Sequence, residues 1–458
     1  MSIETAIAAL VPVLGERITR SKSDLDIHGR SEVHYPLTPP DAVAYPLTTA
    51  EVSEIAKICN AHDCPIIAWG TGTSLEGHSL AFRGGITVDF SRMNKVLQVN
   101  AEDMDVVVQP GLTRAELNEE LRATGLFFPV DPGANASLGG MAGTRASGTT
   151  TVRYGTMRHN VMALEVVLAD GRIIRTGSRA RKTSSGYDLT GLFVGSEGTL
   201  GMITEMTLKL YGQPEAASAA ICAFEDMDAA VQAVTETIQM GLPMARIEFV
   251  DADTAAAFNA YAGRDMAYKP HLMVEFHGSE TSVAADVTSF GEIAQDHGGS
   301  GFEWATNPED RTALWAMRHN GYYAILASRP GATAISTDLC VPISKLAQAV
   351  AETRADIAAS IVAGPILGHV GDGNFHAILL IDPDNPAEMQ AAKDLSARMM
   401  QRALDLGGTV TGEHGVGIGK MDYMQAEHGE AWAVMGDIKC SLDPNNIMNP
   451  GKLVRIGN

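Results

Sequence analysis

The sequence predicts a fold of the α+β class in two parts, and three observations carry that prediction. Up to about residue 213, short strands, glycine-rich loops and helices alternate. Tyr211-Gly212-Gln213-Pro214 then interrupts the chain. After it the rhythm changes to strands separated by longer helices. The chain has 458 residues, and at roughly 150 residues per domain that suffices for two large units or three smaller ones. Its hydrophobic content of 45% is ample for a sizeable core and is not that of a disordered chain.

In the first part, Val52, Ile55, Ala56 and Cys59 fall on one face of a helix that starts near Thr49, and Ile66 to Ala68 read as a buried strand. Thr113 and Glu116 form a capping box, and Gly125 supplies the stop. Val166–Leu168, Asp170-Gly171 and Ile173-Ile174 read as a hairpin. Met206, Leu208 and Leu210 alternate with polar residues, as a half-buried strand requires. In the second part, strands are predicted at Ala219–Phe224, Ala245–Val250, Leu272–Phe276 and Ile335–Val341, with helices at Ala229–Met240 and Val283–Gln295. The domains are therefore set at 1–213 and 214–458, with the turn-like tail 445–458 returning to the first.

Charge and cysteines exclude several functions. The formal charge of −21 gives no basic face for nucleic acid or an anionic membrane, although one buried Arg can still hold a small carboxylate. The five cysteines form no CxxC pair, which argues against a disulfide scaffold, a zinc ribbon or a locally held iron–sulfur cluster. Cys59 and Cys64 read as ordinary half-buried thiols. Neither a signal peptide nor an apolar run of about 18 residues is present, so the expectation is a cytoplasmic protein without a transmembrane segment, docking peripherally if it works at a membrane.

Three glycine loops dominate the first part. Gly70-Thr71-Gly72-Thr73-Ser74 and Gly77 follow the Ile66–Ala68 strand, where bare amides make an anion cradle. A second loop runs from Pro132-Gly133 through Ser137 and Gly140 to Ser147-Gly148 and Gly155. Its small residues suit close approach of backbone to a flat ligand. The third, Gly195-Ser196-Glu197-Gly198-Thr199-Leu200-Gly201-Met202-Ile203, feeds the next strand. His78, just past the first loop, reads as a solvent-exposed or capping histidine.

In the second part, Gly368-His369-Val370-Gly371-Asp372-Gly373-Asn374-Phe375-His376 reads as two strands, Ile361–Leu367 and Phe375–Ile381, joined by a two-residue Asp372-Gly373 turn. That register sets His369 directly opposite His376, with Cβ atoms about 4.5–5.5 Å apart, a spacing that suits two ligands on one divalent ion. Thr411-Gly412-Glu413-His414-Gly415 offers two candidates for a third ligand. Two His and a carboxylate with open positions make a catalytic rather than a closed metal site. Trp315 and Arg318 share a helical face, with Tyr322 one turn on.

These loops and the His-rich segments resemble the D-2-hydroxyacid dehydrogenases of the vanillyl-alcohol-oxidase-type flavoproteins, and within them most the cytochrome-type D-lactate dehydrogenases. Residues 41–213 carry the flavin half, and the likeness extends over nearly the whole chain. It implies a two-part FAD-binding domain followed by an antiparallel sheet covered by helices. Gly70, Thr71, Gly72, Thr73, Ser74, Gly77, Pro132, Gly133, Ser137, Gly140, Ser147, Gly148, Gly155, Glu197, Gly198, Gly201 and Ile203 are then the FAD-binding set. Some relatives attach flavin through a His in the first loop; Thr73 stands there, which implies non-covalent FAD. The resemblance further implies His369, His376 and Glu413 as metal ligands, zinc first with manganese or iron as alternatives, and His414 as the base. It makes Arg318 the clamp on the substrate carboxylate and sets Asn374 against the substrate.

The implied reaction is oxidation of a D-2-hydroxy acid to the 2-oxo acid. Relatives acting on dicarboxylates need a second cation shortly after the Trp315–Arg318 segment. Between Arg318 and Lys345 the basic residues are His319 and Arg329 alone, which favours a small monocarboxylate such as D-lactate over D-2-hydroxyglutarate. Glycolate is the other alternative, with the chain as flavin subunit of a glycolate oxidase. No haem CxxCH is present, so electrons leave to an external acceptor: a cytochrome, a quinone-linked partner or an electron-transfer flavoprotein. A metal-dependent hydrolase would have no use for the glycine loops, and a non-catalytic subunit would be expected to have lost either loops or metal set.

Overall fold

Short strands separated by tight loops build the first part of the protein, which is seen as a computed structural model describing residues 2–305 and 307–456. β1 (Ile18–Thr19), β2 (Ala42–Ala44), β3 (Ile66–Trp69) and β4 (Ile86–Asp89) form a sheet ordered β1-β2-β4-β3. β4 pairs parallel with β2 and β3, while β1 runs antiparallel on β2. Parallel neighbours need a crossover, and the helix Thr49–Ala61 supplies the one between β2 and β3. Thr48 caps it, and Val52, Ile55, Ala56 and Cys59 are buried as the periodicity predicts. Cys59 and Cys64 are free thiols and fully buried, not half-buried.

A second, antiparallel sheet is ordered β5-β6-β10-β8-β9, from β5 (Val96–Asn100), β6 (Asp105–Val108), β8 (Val161–Val167), β9 (Ile173–Gly177) and β10 (Met202–Lys209). β7 (Leu126–Phe127) and β11 (Tyr211–Gly212) form a separate ribbon. The Thr113–Glu116 capping box opens the helix Arg114–Leu121; a 3-10 turn prolongs it to Gly125, whose φ of +71° ends it. Met206, Leu208 and Leu210 pack with Phe128 and Phe193 in this sheet's core.

Beyond Gln213 comes one antiparallel sheet ordered β15-β12-β14-β13-β18-β19-β16. Its strands are β12 (Ala216–Ala223), β13 (Met244–Val250), β14 (His271–Gly278), β15 (Ser300–Ala305), β16 (Thr333–Ser336), β18 (Ile366–Gly368) and β19 (Asn374–Ile381), with β17 (Leu339–Cys340) also on β19. Amphipathic helices Met227–Gln239, Glu280–Asp296 and Ile343–Ala358 bury their apolar faces.

Three sequence expectations are corrected here. The strand expected at Ile335–Val341 is two, because Thr337 leaves the ladder and its hydroxyl accepts the Ala377 amide at 2.9 Å. The strand expected from Ile361 begins only at Ile366. Pro365 has no N–H to donate, and a Cβ at Gly364 would meet Leu379 at 2.8 Å. The His-containing hairpin does not turn on Asp372-Gly373 alone. Val370–Asp372 is a 3-10 turn closed by Gly373 at φ +78°, and the ladder pairs His376 with Leu367 rather than His369.

The chain divides into two units: Met1–Ser147 with Gly155–Gln213 and Glu413–Asn458, and Gly148–Tyr154 with Pro214–Gly412. The segment returning to the first unit thus starts at Glu413, well before the tail at 445. Ile447 and Met448 lie in the first unit's core beside Ile55, Ile66 and Ile86. Among the described residues no helix is long and apolar enough to cross a membrane.

Candidate active site

In the first unit the glycine loops gather at the end of β3. A Cβ at Gly70 would lie 2.1 Å from the Ser137 hydroxyl and 3.8 Å from Gly140, so first and second loops touch. Gly72 needs its φ of +73°, and a Cβ there would strike the Trp69 ring at 2.7 Å. Gly198 of the third loop lies against Ala68. Among the described residues, the backbone amides of Thr71 to Leu75 donate to no protein acceptor. The buried Trp69 Nε1 likewise has no partner among them. Bare amides and an orphaned indole N–H fit the anionic, hydrogen-bonding portion of a dinucleotide such as FAD. Gly133 stands in open space, whereas Gly201 is a packing position, with Val166 at 2.6 Å from its would-be Cβ. Ile203 pairs with Val166 in the ladder.

Two residues of the FAD-binding set spend their side chains elsewhere. The Ser147 hydroxyl donates to Glu413 Oε2 at 2.6 Å. The buried Glu197, at φ +54°, accepts the amides of Val416 and Gly417 at 2.7 and 2.9 Å and faces His78 Nε2 at 3.3 Å. Burial alone would raise the Glu197 carboxyl, but His78 and the two amides outweigh it and hold it below the ordinary carboxylate range. His78 is therefore buried and is not the exposed or capping residue the sequence suggested. Gly415 fits because a Cβ there would meet Glu197 and His78 at 2.7 Å. The turn carrying Glu413 and His414 is thus shaped by residues of the flavin loops. Both of those side chains are half-buried.

Arg318, His369, His376, Asn374 and Tyr322 belong to the second unit. The rings of His369 and His376 lie edge to face with centroids 5.6 Å apart, although the register differs from the expected one. A two-residue offset preserves the face to which a strand residue points, so His376 still meets His369. His369 Nδ1 lies 2.7 Å from Glu248 Oε1, and His376 Nδ1 lies 2.9 Å from the Thr337 carbonyl. Each acceptor calls for the proton on Nδ1, which makes Nε2 the lone-pair nitrogen that a metal takes. The two histidines offer ligand atoms within 4.8 Å of each other, a donor pair that fits a divalent ion.

The Asn374 amide donates to Asp338 Oδ1 and the Leu339 carbonyl at 2.9 and 2.8 Å. Its carbonyl oxygen is buried with no donor among the described residues, which suits an incoming hydroxyl. Arg318 is buried on the helix Pro308–His319, forms an ion pair with Glu248 Oε2 at 2.6 Å, and has no acceptor for Nε among the described residues. Tyr322 packs edge-on to Tyr323 and against the apolar cluster around Trp315.

Sequence reasoning missed Glu248, Asp338 and a further polar chain. Asp338 accepts Thr411 Oγ1 at 2.8 Å and stands 3.8 Å from His376 Nδ1. Tyr154 reaches His277 at 2.8 Å; His277 and Trp315 reach Glu275, each at 2.6 Å; and Arg246 lies over the Trp315 ring. The available signal was charge at positions on β13 and β14 that otherwise read as buried strand. Arg329, the spare cation for a second carboxylate, is held bidentately by Glu388 at 2.8 and 3.0 Å.

Comparison with known proteins gives the same picture. Residues 40–177 match the FAD binding domain family, and residues 213–453 match the C-terminal domain of FAD linked oxidases. The chain is 49% identical to the probable mitochondrial D-lactate dehydrogenase of Danio rerio, over 99% of this chain and 93% of that one. It is 43% identical to the mitochondrial D-lactate dehydrogenase [cytochrome] of Arabidopsis thaliana, over 98% and 80%. Both names carry a compartment that the cytoplasmic expectation did not include. The glycolate oxidase subunit GlcD of Bacillus subtilis is 37% identical over 93% and 92%. Among solved structures, the 4-ethylphenol oxidase of Gulosibacter chungangensis shares the fold, with a TM-score of 0.80 at 20% identity over 98% and 96%. Glycine loops, FAD-binding domain and C-terminal sheet agree: the chain belongs to the FAD-linked oxidases.

Proposed function

We propose that the protein is an FAD-dependent D-2-hydroxyacid dehydrogenase that oxidises D-lactate to pyruvate. The observation that carries this reading is the buried series Arg318–Glu248–His369–His376 in the second unit, which joins a guanidinium to two imidazoles with their protons fixed on Nδ1. Non-covalent FAD, held by the three loops, supplies a two-electron acceptor for the Cα hydrogen, and a divalent ion, zinc first, held by His369, His376 and Glu413 supplies Lewis acidity at the hydroxyl. The planar fork of Arg318 holds the substrate carboxylate. The Asn374 carbonyl oxygen orients the hydroxyl. His414 takes the hydroxyl proton as general base. The relatives named as D-lactate dehydrogenases support the substrate, and the word cytochrome in one of their names supports a cytochrome as external acceptor.

A monocarboxylate is further supported by Arg329, which Glu388 already occupies. An unpaired distal carboxylate would be costly to bury. The test is a panel of D- and L-2-hydroxy acids with an artificial dye as acceptor. D-lactate is expected to give the highest kcat/KM; a higher value for D-2-hydroxyglutarate or glycolate overturns the assignment.

A further inference from the structure

We propose that Glu248 is a positioning residue that serves both halves of the site, fixing His369 for the metal and Arg318 for the substrate carboxylate. This deepens, and rests on, the reading of the site given above. Glu248 lies on β13, whose neighbour β18 pairs Gly368 with Phe249, so the backbone brings His369 beside it. On its other side Gly368 lets β19 pack close, since a Cβ there would lie 2.6 Å from the Asn374 carbonyl. The Glu248 side chain is only 1% exposed, and its two oxygens have separate tasks. Oε1 meets His369 Nδ1 at 2.7 Å and Oε2 meets Arg318 Nη2 at 2.6 Å. A carboxylate can do this because one oxygen accepts from the imidazole while the other, ion-paired but not hydrogen-bonded, faces the guanidinium. It offsets the charge of a buried guanidinium and at the same time keeps the His369 proton away from the nitrogen the metal needs.

An amide of the same shape cannot do both. In Glu248→Gln one end becomes a donor. Its NH2 group is repelled by the donors of Arg318, so the carbonyl oxygen turns to Arg318 and the NH2 to His369 Nδ1. That nitrogen must then accept, and the ring proton moves to Nε2, where it blocks the metal. The two tasks are therefore separable by substitution. E248Q is expected to lose metal affinity and to keep the clamp, whereas Glu248→Ala loses both.

The experiment measures the Kd for Zn2+ or Mn2+ by chelator competition, and KM and kcat for D-lactate at saturating metal, in the flavin-loaded full chain. E248Q should weaken metal binding by about 10–100-fold, the usual effect of losing a ligand's outer partner, with KM within about threefold of wild type. E248A should weaken metal binding similarly and raise KM by about 10–100-fold, the size of a lost charge-assisted contact. Glu248→Asp, one methylene short but charged, should recover part of the metal affinity that E248Q lacks. Urea unfolding of each variant reports that the second unit, which carries Glu248, is folded. Wild-type metal affinity in E248Q, or wild-type KM in E248A, overturns the inference and leaves the reading of the site standing. Wild-type protein that binds no divalent ion overturns that reading, and the inference with it.

Discussion

Glu197 links the flavin loops to the turn that carries Glu413 and His414, through the Val416 and Gly417 amides and His78. Its carboxyl is held below the ordinary value despite burial, so its contribution to stability is complete above about pH 4.5 and is lost as pH falls through the lower, folded-state value. Urea midpoints of wild type and Glu197→Gln should therefore differ most near neutrality and converge below about pH 4.5; a constant difference would show that the charge is not what holds the turn. His414 itself is tested by His414→Asn. Stopped-flow flavin reduction should slow by about 10²–10⁴-fold, as for a lost general base, with flavin and metal content unchanged. Unaltered reduction would move the base elsewhere. At this scale the sequence was legible in the placement of a few side chains: His369 and His376 do meet, and Arg318 is buried on its helix. Glu248 and Asp338 were not, because a lone acid in a strand pattern says nothing of its partner until the strands are paired.

The 3-10 turn between β18 and β19 is the element on which the histidine pair depends. The turn dipeptide located the hairpin correctly but not its length, since Gly373 at φ +78° closes a loop that begins at His369. The pairing of His369 with His376 was legible because the face of a strand has period two and survived the two-residue offset. The break at Thr337 was not, because it arises from a side-chain contact with Ala377 on a neighbouring strand. A Cβ at Gly373 would lie 2.1 Å from the Val341 carbonyl, and the backbone there is left-handed. Gly373→Ala should thus cost about 1–3 kcal/mol of stability, read by thermal or urea unfolding, and weaken metal binding with it. A variant with wild-type stability and metal affinity would show that the turn has another way to close. The glycine loops were legible as backbone, since positive φ at Gly72, Gly77, Gly155 and Gly198 is a demand that few other residues meet.

At the scale of the whole molecule, the chain does not finish one unit before it starts the other. The Glu413–Asn458 segment belongs to the first unit, where Ile66 bridges to Met448 and the Lys439 ammonium reaches Asp443 and the Thr199 and Met448 carbonyls. Lys439→Met leaves the Asp443 carboxylate buried without its cation and should cost about 3–5 kcal/mol, measured by urea unfolding; a loss under about 1 kcal/mol would mean that the amides of Ile447 and Met448 suffice to hold Asp443. That the first unit reaches across the sequence in this way was only partly legible: the polar tail suggested a return, but nothing in it marked Glu413 as the starting point. The return has a consequence for biosynthesis. After Gln213 leaves the ribosome, translation at about 5–20 residues per second needs roughly 12–50 s to reach Ile447 and Met448. Through that interval β3 lacks its bridge to Met448, and the apolar face beneath it lacks two of its core residues. Through the same interval Glu197 lacks the Val416 and Gly417 amides that it accepts in the finished protein.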